Sequence, residues 1–227
     1  MWIFILILVS IALVLIYKDF QNDKLLNTVT HKGRGTWSER DLVIRLLKNG
    51  ISSDRIFHDL YVQKSDGSFS QVDVVIVTQV GIIVIEVKHL SGWIFGTGNK
   101  SRWVQVLGNN NQKFQFYNPV FQNNNHIKCL KGRLSNLEGI PFYSLIIFYG
   151  NCELKNLSQI PSEVNIVKSN DAIEAINYLI QNQSEFNYKD LSAMEAVFFE
   201  SVNNGEDSEI RLKHIENIRN KWYPQYY

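Results

Sequence analysis

Residues 71–88 read QVDVVIVTQVGIIVIEVK, and this stretch decides the fold. Two nearly continuous apolar runs, VVIV and IIVIEV, stand on either side of a short connection, as expected of neighbouring strands that are covered on both faces. If the loop has an even number of residues and is centred on the bond between Gln79 and Val80, opposed residues have numbers that sum to 159. Asp73 then faces Glu86, with Cβ atoms about 4.5–5.5 Å apart on the same face of the hairpin.

The charged residues of this hairpin indicate a metal site. Because side chains alternate along a strand, Asp73 shares a face with Glu86 and Lys88 at the end of an otherwise apolar surface. Two neighbouring carboxylates repel each other unless a cation lies between them, and hard oxygen ligands suit Mg²⁺ or Mn²⁺. The Val87 carbonyl would add an oxygen ligand. Such a metal polarises a phosphate and lowers the pKa of a bound water, while Lys88 orients that water or neutralises developing charge.

An ion pair is the alternative for the same residues. Lys88 would form a salt bridge with Asp73 or Glu86 at a solvated end of the hairpin, which is a common surface arrangement. Against this alternative, charged side chains rarely rise from strands covered on both faces unless they have a partner or a function. Spacing alone leaves both interpretations open.

A further acidic residue stands out in the stretch GRGTWSERDLVIRLLKNG, residues 33–50. Glu39 lies on the helical stripe that Leu42 and Leu46 define, so its side chain is expected to point inward. Thr36 with Glu39 three residues later also fits a capping box, in which the carboxylate would serve the helix N-terminus instead. The local sequence does not choose between a site acid and a cap.

Strands and helices follow the hairpin in alternation. Strands are predicted at 57–63, 71–77, 82–88, 93–95, 103–107, 114–116, 143–149 and 164–167, and helices near 39–50 and at 118–134, 170–180, 191–201 and 209–222. Gln122 lies one turn into the helix that Asn118 and Pro119 begin, so it either approaches the site or is a surface glutamine. This order predicts one α/β domain with a strand-rich centre.

The N-terminus has an extreme composition. Residues 1–17 (MWIFILILVSIALVLIY) contain no charged side chain. A helix of this length reaches about 25 Å, close to the ~17-residue lower limit for crossing a bilayer, and a basic start and small-residue cleavage site are missing. We therefore expect a transmembrane helix over 1–17, with a buried core helix as the alternative, and a linker over 18–32 that is either a tether or a short helix. Lysine and arginine residues after the helix place the rest of the chain in the cytoplasm.

Bulk properties set few further limits. The 227 residues suffice for one well-cored domain with an appendage. The formal net charge is +1, so contact with nucleic acid must come from a local patch or from metal ions. The two cysteines, Cys129 and Cys152, have neither metal-site spacing nor the density of a disulfide framework, and we expect buried thiols in a reducing compartment.

Several motifs occur in an order that resembles a known family. They are GRGTWSE at 33–39, QVD at 71–73, GIIVIEVK at 81–88, Gly92, Trp103 and NPVFQ at 118–122. This order is similar to the NERD (nuclease-related) domain of the PD-(D/E)xK nuclease superfamily. The resemblance implies a restriction-endonuclease-like α/β core over residues 33–150, a mixed β-sheet flanked by helices, which residues 151–227 complete.

The resemblance also implies roles by position. Asp73 and Glu86 would bind the metal, Lys88 would be the catalytic lysine, and Glu39 would complete the site. The implied function is a membrane-anchored, Mg²⁺- or Mn²⁺-dependent nuclease that hydrolyses phosphodiester bonds of DNA, with RNA as the less favoured substrate. The alternative is a non-catalytic nucleic-acid-binding or membrane-tethered interaction module that retains the fold.

Other residues are assigned to the surroundings of the site. Gln71 and Gln122 match family positions near it. Candidate contacts for the phosphate backbone are Lys100, Arg102, Lys113, Lys128, Lys131 and Arg133. Trp93, Trp103 and Tyr117 are candidates for stacking on bases, with burial in the core as the alternative for each aromatic residue.

Overall fold

Helices pack on two mixed sheets in the computed structural model, which describes residues 2–108, 112–137 and 139–222. The helices are α1 (Trp2–Leu26), α2 (Trp37–Lys48), α3 (Pro119–Arg133), α4 (Ala172–Gln181), α5 (Leu191–Asn204) and α6 (Ser208–Trp222). The strands are β1 (Ile56–Gln63), β2 (Phe69–Thr78), β3 (Gly81–His89), β4 (Gly92–Thr97), β5 (Arg102–Leu107), β6 (Gln112–Tyr117), β7 (Phe142–Tyr149), β8 (Cys152–Ser158) and β9 (Val164–Lys168). The mixed α/β class expected from the sequence is confirmed.

The first sheet is built around the hairpin of β2 and β3. Its strands lie in the order β1-β2-β3-β7-β9. β1, β2 and β3 are antiparallel neighbours, whereas β7 runs parallel to both β3 and β9. Gln79 and Val80 connect β2 to β3, and Val75 lies opposite Val84. The register expected from an even-numbered loop is therefore confirmed, and it brings the charged ends of the two strands side by side.

Helices cover each face of the first sheet. α2, α4 and the end of α1 pack on one face, where Leu42, Ile76 and Ile83 are fully buried. α3 and α5 cover the other face through Leu130 and Phe198. The hairpin side chains on the α3 side are Val75, Val77, Ile82 and Val84. Their common face agrees with strand alternation, so Glu86 and Lys88 also approach α3.

The second sheet has the strand order β6-β5-β4-β8 and packs against β7 and the start of α3. β8 was not expected, because its sequence CELKNLS is largely polar. Trp103 is fully buried, with its ring parallel to that of Phe148 at a centroid distance of 6.2 Å. A Cβ on Gly96 would overlap the Trp103 ring. Of the two interpretations of Trp103, burial in the core is confirmed and stacking on bases is excluded, because the ring is fully buried.

The helix α1 is long and apolar enough to cross a membrane. Its most apolar window has a mean hydropathy of 2.4, and none of that window is buried within the chain. The helix continues past Tyr17 to Leu26, which is buried and packs with Val29 on the α2 side of the first sheet. Residues 18–32, expected as a linker, are thus helix up to Leu26 and turns beyond it. α1 joins the domain through a packed contact.

Candidate active site

Asp73 lies where the backbone pairing of the hairpin ends. Pairing of β2 with β3 stops at Val74 and Ile85. One position further, Asp73 Oδ2 accepts a hydrogen bond from Val87 N–H at 2.7 Å, so that a side chain continues the connection between the strands. This bond fixes the Asp73 carboxylate in a buried position. The role of the Val87 carbonyl as a metal ligand stays a prediction.

Glu86 and Lys88 form an ion pair on the α3 side of β3. Lys88 Nζ lies 2.6 Å from Glu86 Oε1 and donates a hydrogen bond to Gln122 Oε1 at 3.0 Å. Glu86 is buried, whereas the Lys88 side chain keeps 22% of its surface exposed. The ion pair considered from the sequence is therefore present, but not at a solvated hairpin end. Gln122 approaches the site from the first turn of α3, as expected.

His126 contacts the second oxygen of Glu86 and was not expected from the sequence. Its Nε2 lies 3.2 Å from Glu86 Oε2, and its Nδ1 lies 2.9 Å from Ser70 Oγ. A carboxylate only accepts, so Nε2–H donates to Glu86, while Nδ1 and the Ser70 hydroxyl share the second hydrogen bond. His126 stands four residues after Gln122 on the same face of α3. That spacing was the one signal that could have identified it.

Glu39 takes part in the helix cap that the sequence left open. Its N–H donates to Thr36 Oγ1 at 3.4 Å, and the Thr36 hydroxyl donates to Glu39 Oε1 at 2.7 Å. The other oxygen, Oε2, is buried without a hydrogen bond and lies 3.3 Å from His58 Nε2. A Cβ on Gly35, where φ is +56°, would overlap both of these atoms. The helix cap therefore occupies one carboxylate oxygen of Glu39, and the other oxygen faces His58. The role of Glu39 as a site acid stays a prediction.

A second buried ion pair supports the site from β1. Asp59 interrupts the pairing of β1 with β2 and has a φ of 54°, a left-handed conformation that costs an L-residue about 1–2 kcal/mol. Arg34 holds it there, because Nε donates to Asp59 Oδ2 at 2.8 Å and Nη2 donates to the Asp59 carbonyl at 2.6 Å. Gln71 Nε2 donates to Asp59 Oδ1 at 2.8 Å. Gln71 thus lies beside the site and helps to fix the strand next to Asp73.

The buried charges of the site shift one another's ionisation. Burial, together with the charges of Glu86 and Glu39, raises the pKa of Asp73 well above its ordinary value. Burial also opposes ionisation of Glu86, but the Lys88 ammonium and the His126 ring hold the pKa of Glu86 below its ordinary value. Burial would lower the pKa of Lys88, yet the carboxylates of Glu86 and Asp73 raise it. Lys88 is therefore a cation, and Asp73 is the acid that most needs further positive charge nearby.

The donor set fits a hard divalent cation. Asp73, Glu86 and Glu39 offer carboxylate oxygens, the ligands that Mg²⁺ and Mn²⁺ take in proteins. Glu39 Oε2 is a buried oxygen with no hydrogen bond. Within the described ranges, no three His, Cys, Asp or Glu side chains stand together as a metal-binding group. Both Glu86 oxygens already contact Lys88 or His126, and each keeps a second lone pair with which it could bind a metal.

A groove with a volume of about 1140 Å³ opens at the acidic cluster. It runs between α3 and the turn that joins β1 to β2, with α6 on its far side. Asp73, Gln122 and His126 line its inner end, and Tyr117 lines its wall. Among the expected phosphate contacts, Lys128 and Arg133 line the groove. The remaining ones, which lie away from it, are Lys100, Arg102, Lys113 and Lys131.

Comparison with known proteins covers most of the chain. A family model described as the nuclease-related domain (NERD) matches residues 34–149. A Bacillus anthracis protein described as uncharacterized is 28% identical over 207 residues, which are 88% of this chain and 92% of that protein. No solved structure matches the chain. The family match contains the hairpin, Glu39 and α3 and spans more than half of the 227 residues, so the chain belongs to the nuclease-related domain family.

Proposed function

We propose that this chain is a membrane-anchored, divalent-metal-dependent nuclease that hydrolyses phosphodiester bonds of DNA, with RNA as the less favoured substrate. The observation that carries the proposal is the convergence of Asp73, Glu86 and Lys88 at one end of a buried hairpin. A structural ion pair would need one acid. Here Lys88 contacts a single carboxylate, Glu86, and Asp73 and Glu39 add two further buried carboxyl groups whose ionised forms a divalent cation would neutralise.

The proposed metal ligands are carboxylates, with one backbone oxygen. Asp73, Glu86 and Glu39 would hold the ion, and the Val87 carbonyl would add an oxygen. A bound Mg²⁺ or Mn²⁺ would supply Lewis acidity toward the phosphate and a water of lowered pKa. Burial keeps bulk water away from these carboxylates, which would strengthen their attraction to a bound metal ion.

Lys88 is the proposed catalytic cation. Because its pKa is raised, it stays protonated and serves as a donor rather than as a base. Its ammonium would stabilise the negative charge that develops on the phosphate, or orient the attacking water. Gln122 accepts a hydrogen bond from Lys88 and holds the ammonium toward the groove, while His126 holds Glu86. Both residues of α3 are therefore proposed to position the site.

Membrane attachment through α1 is the second part of the proposal. The uncharged part of the helix, residues 2–17, is about 24 Å long at 1.5 Å per residue, which is close to the lower limit for crossing a hydrocarbon core of ~30 Å. Its apolar side chains are exposed, so a buried core helix is not the interpretation that they favour. Lys18, Lys24, Lys32 and Arg34 follow the apolar part and favour a cytoplasmic domain on a single-pass anchor.

The nuclease proposal is tested by cleavage of DNA with the full-length chain in detergent. Linear and circular DNA are incubated with Mg²⁺, with Mn²⁺ and with EDTA. We expect cleavage with either metal, none with EDTA, and loss of cleavage in Asp73→Ala and Lys88→Ala. The matched control is Lys189→Ala, which removes an exposed lysine from the segment between α4 and α5 and should cleave like the unmodified chain.

Two results would count against a nuclease. Metal-dependent cleavage that persists in both site variants would come from a contaminant or from another site. Binding of DNA without cleavage under any metal condition would instead favour the non-catalytic module that retains the fold.

A further inference from the structure

On the basis of the proposed function, we infer that the site takes single-stranded rather than duplex DNA. The strand would lie in the groove along α3, pass Lys88 at the end of the first sheet, and stack a base on Trp37.

The depth of the acidic cluster favours a flexible substrate. Glu86, Glu39 and Asp73 are only 1%, 4% and 8% exposed, and of these three acids Asp73 lines the groove. Its volume of about 1140 Å³ is close to the ~300–1,000 Å³ of pockets that enclose drug-sized ligands, so it holds a few nucleotides. Duplex DNA is stiff over about 150 base pairs and presents its phosphates on a rigid rod. A single strand can bend one phosphate into the recess.

Helix α6 forms one wall of the groove. His214 Nδ1 donates to the Phe69 carbonyl at 3.1 Å, and the His214 ring meets the Tyr61 ring edge-on at 5.4 Å. The junction between α5 and α6 is fixed by Arg34, which donates to the Val202 carbonyl at 3.2 Å. These contacts place α6 opposite α3 across the groove. α6 lies outside the residues that match the family model, so this wall belongs to the C-terminal part of the chain.

The groove lining has the chemistry of single-strand recognition. Lys64 and Lys128 stand on opposite sides of it, on the turn between β1 and β2 and on α3. Tyr117 and Phe69 add aromatic surface to the same lining. Proteins that bind single strands combine cations that follow the backbone with aromatic rings on which bases stack. The lining therefore suits a strand whose bases are unpaired.

Trp37 offers a stacking surface on the α2 side of the site. It is 61% exposed, although it is the first residue of α2 and contacts two other rings. Its ring lies 6.1 Å from that of His89 and 6.2 Å from that of Tyr149, centroid to centroid. Both neighbours are fixed, since His89 Nδ1 is 2.6 Å from Ser38 Oγ and the Tyr149 hydroxyl donates to Asp41 at 2.9 Å. The exposed indole is thus held in place before any ligand arrives.

The end of β3 joins the groove to Trp37. Lys88 and His89 are consecutive, and alternation directs Lys88 toward α3 and His89 toward α2. Gln122, which lines the groove, contacts Lys88, and Trp37 contacts His89. A single-stranded DNA that leaves the groove past Lys88 therefore reaches the Trp37 indole by crossing the end of β3.

The test measures binding in the absence of cleavage. The full-length chain in detergent is titrated into fluorescein-labelled oligodeoxythymidylate, or into a duplex of equal length, in EDTA, and anisotropy is recorded. We expect the single strand to bind more tightly. Trp37→Ala should weaken its binding by about 5- to 150-fold, the loss of one stacked base, while Trp37→Phe retains most of it. Lys128→Ala should lower the slope of log K against log salt by about 0.7.

The controls are Tyr178→Ala and Lys189→Ala, which remove an exposed aromatic ring on α4 and an exposed lysine away from this path and should bind like the unmodified chain. Duplex binding as tight as single-strand binding would overturn the inference. So would single-strand binding that Trp37→Ala leaves unchanged. If the single strand binds as expected but no metal supports cleavage, this inference stands and the nuclease proposal fails.

Discussion

Lys88 is held by partners from two elements, Glu86 on its own strand and Gln122 on α3. These two contacts fix the position of the Lys88 ammonium group. A lysine that paired only with a neighbouring acid would move with that side chain. Because Gln122 comes from a different element, the position of Lys88 depends on the packing of α3 against the first sheet. Changes on α3 are thus expected to alter the chemistry of the hairpin.

His126→Ala is predicted to slow metal-dependent cleavage by about 10- to 100-fold, the usual effect of removing a group that orients a metal ligand. The physical reason is that Glu86 Oε2 loses its donor at 3.2 Å and the carboxylate is then free to rotate. The measurement is the cleavage rate as a function of Mn²⁺ concentration. The half-saturating concentration should rise along with the fall in rate.

The control for this change is His126→Gln, which can still donate to Glu86 and should recover part of the rate. Equal rates for His126→Ala and the unmodified chain would show that Glu86 needs no orientation from α3.

At the scale of elements, the glycines on either side of α2 make a matched pair. Gly35 and Gly50 both have positive φ, +56° and +89°. A Cβ on Gly35 would overlap Glu39 Oε2 and His58 Nε2, whereas a Cβ on Gly50 would meet nothing within 4 Å. Alanine at Gly50 should destabilise the fold by about 1–2 kcal/mol through its backbone conformation alone, and alanine at Gly35 should cost more because its Cβ also overlaps buried atoms. Only Gly35→Ala should also abolish cleavage, because it displaces the Glu39 carboxylate.

The comparison requires two measurements on each variant, the free energy of unfolding in denaturant and the cleavage rate. Loss of cleavage in Gly50→Ala at the same stability would mean that α2 acts through its overall placement. In that case displacement of the Glu39 carboxylate would not explain the loss of cleavage in Gly35→Ala.

The hairpin was the element that the sequence could predict in most detail. Its register follows from loop length and from a pattern of period two, which are local properties, so the sequence alone predicts that Asp73 and Glu86 lie close together. Asp59 and Arg34 could not be paired in this way. Their contact joins residues 25 positions apart, and it depends on a left-handed backbone at Asp59 inside a strand, which no local pattern of the sequence indicates. For His126, the one sequence signal of a place in the site was its position four residues after Gln122 on the same helix.

At the scale of the whole molecule, the order of elements was predictable and their division between sheets was not. β8 was missed because its exposed, polar sequence lacks alternation, although it pairs in parallel with β4. The linker over residues 18–32 was expected because the sequence changes from apolar to polar after Tyr17. Polar residues there continue α1, and Leu26 ends it in the core, which only the packing of the complete domain could show.

The packed end of α1 gives a prediction for the whole chain in a bacterial host. The full-length protein should sediment with membranes and resist a high-salt wash, because its apolar helix is held by the hydrocarbon core rather than by charge. A chain that starts at residue 18 keeps Leu26 and should be soluble and folded. The measurement is fractionation with immunodetection, followed by circular dichroism of the shorter chain.

Protease added to spheroplasts gives the orientation. A cytoplasmic domain should be protected until the membrane is lysed. Digestion in intact spheroplasts would place the domain outside the cell, and release of the full-length chain by salt would contradict a transmembrane anchor.

Binding of Mn²⁺ tests the acidic cluster most directly. Titration of the full-length chain followed by electron paramagnetic resonance counts bound and free ion. Asp73→Asn should weaken binding by about tenfold or more, because it removes a carboxylate ligand while Asn can still accept from Val87 N–H. Asp66→Asn, which removes an exposed carboxylate at the groove, should bind like the unmodified chain. A chain that binds no Mn²⁺, or binds it equally well with Asp73→Asn, would contradict a metal site at this hairpin.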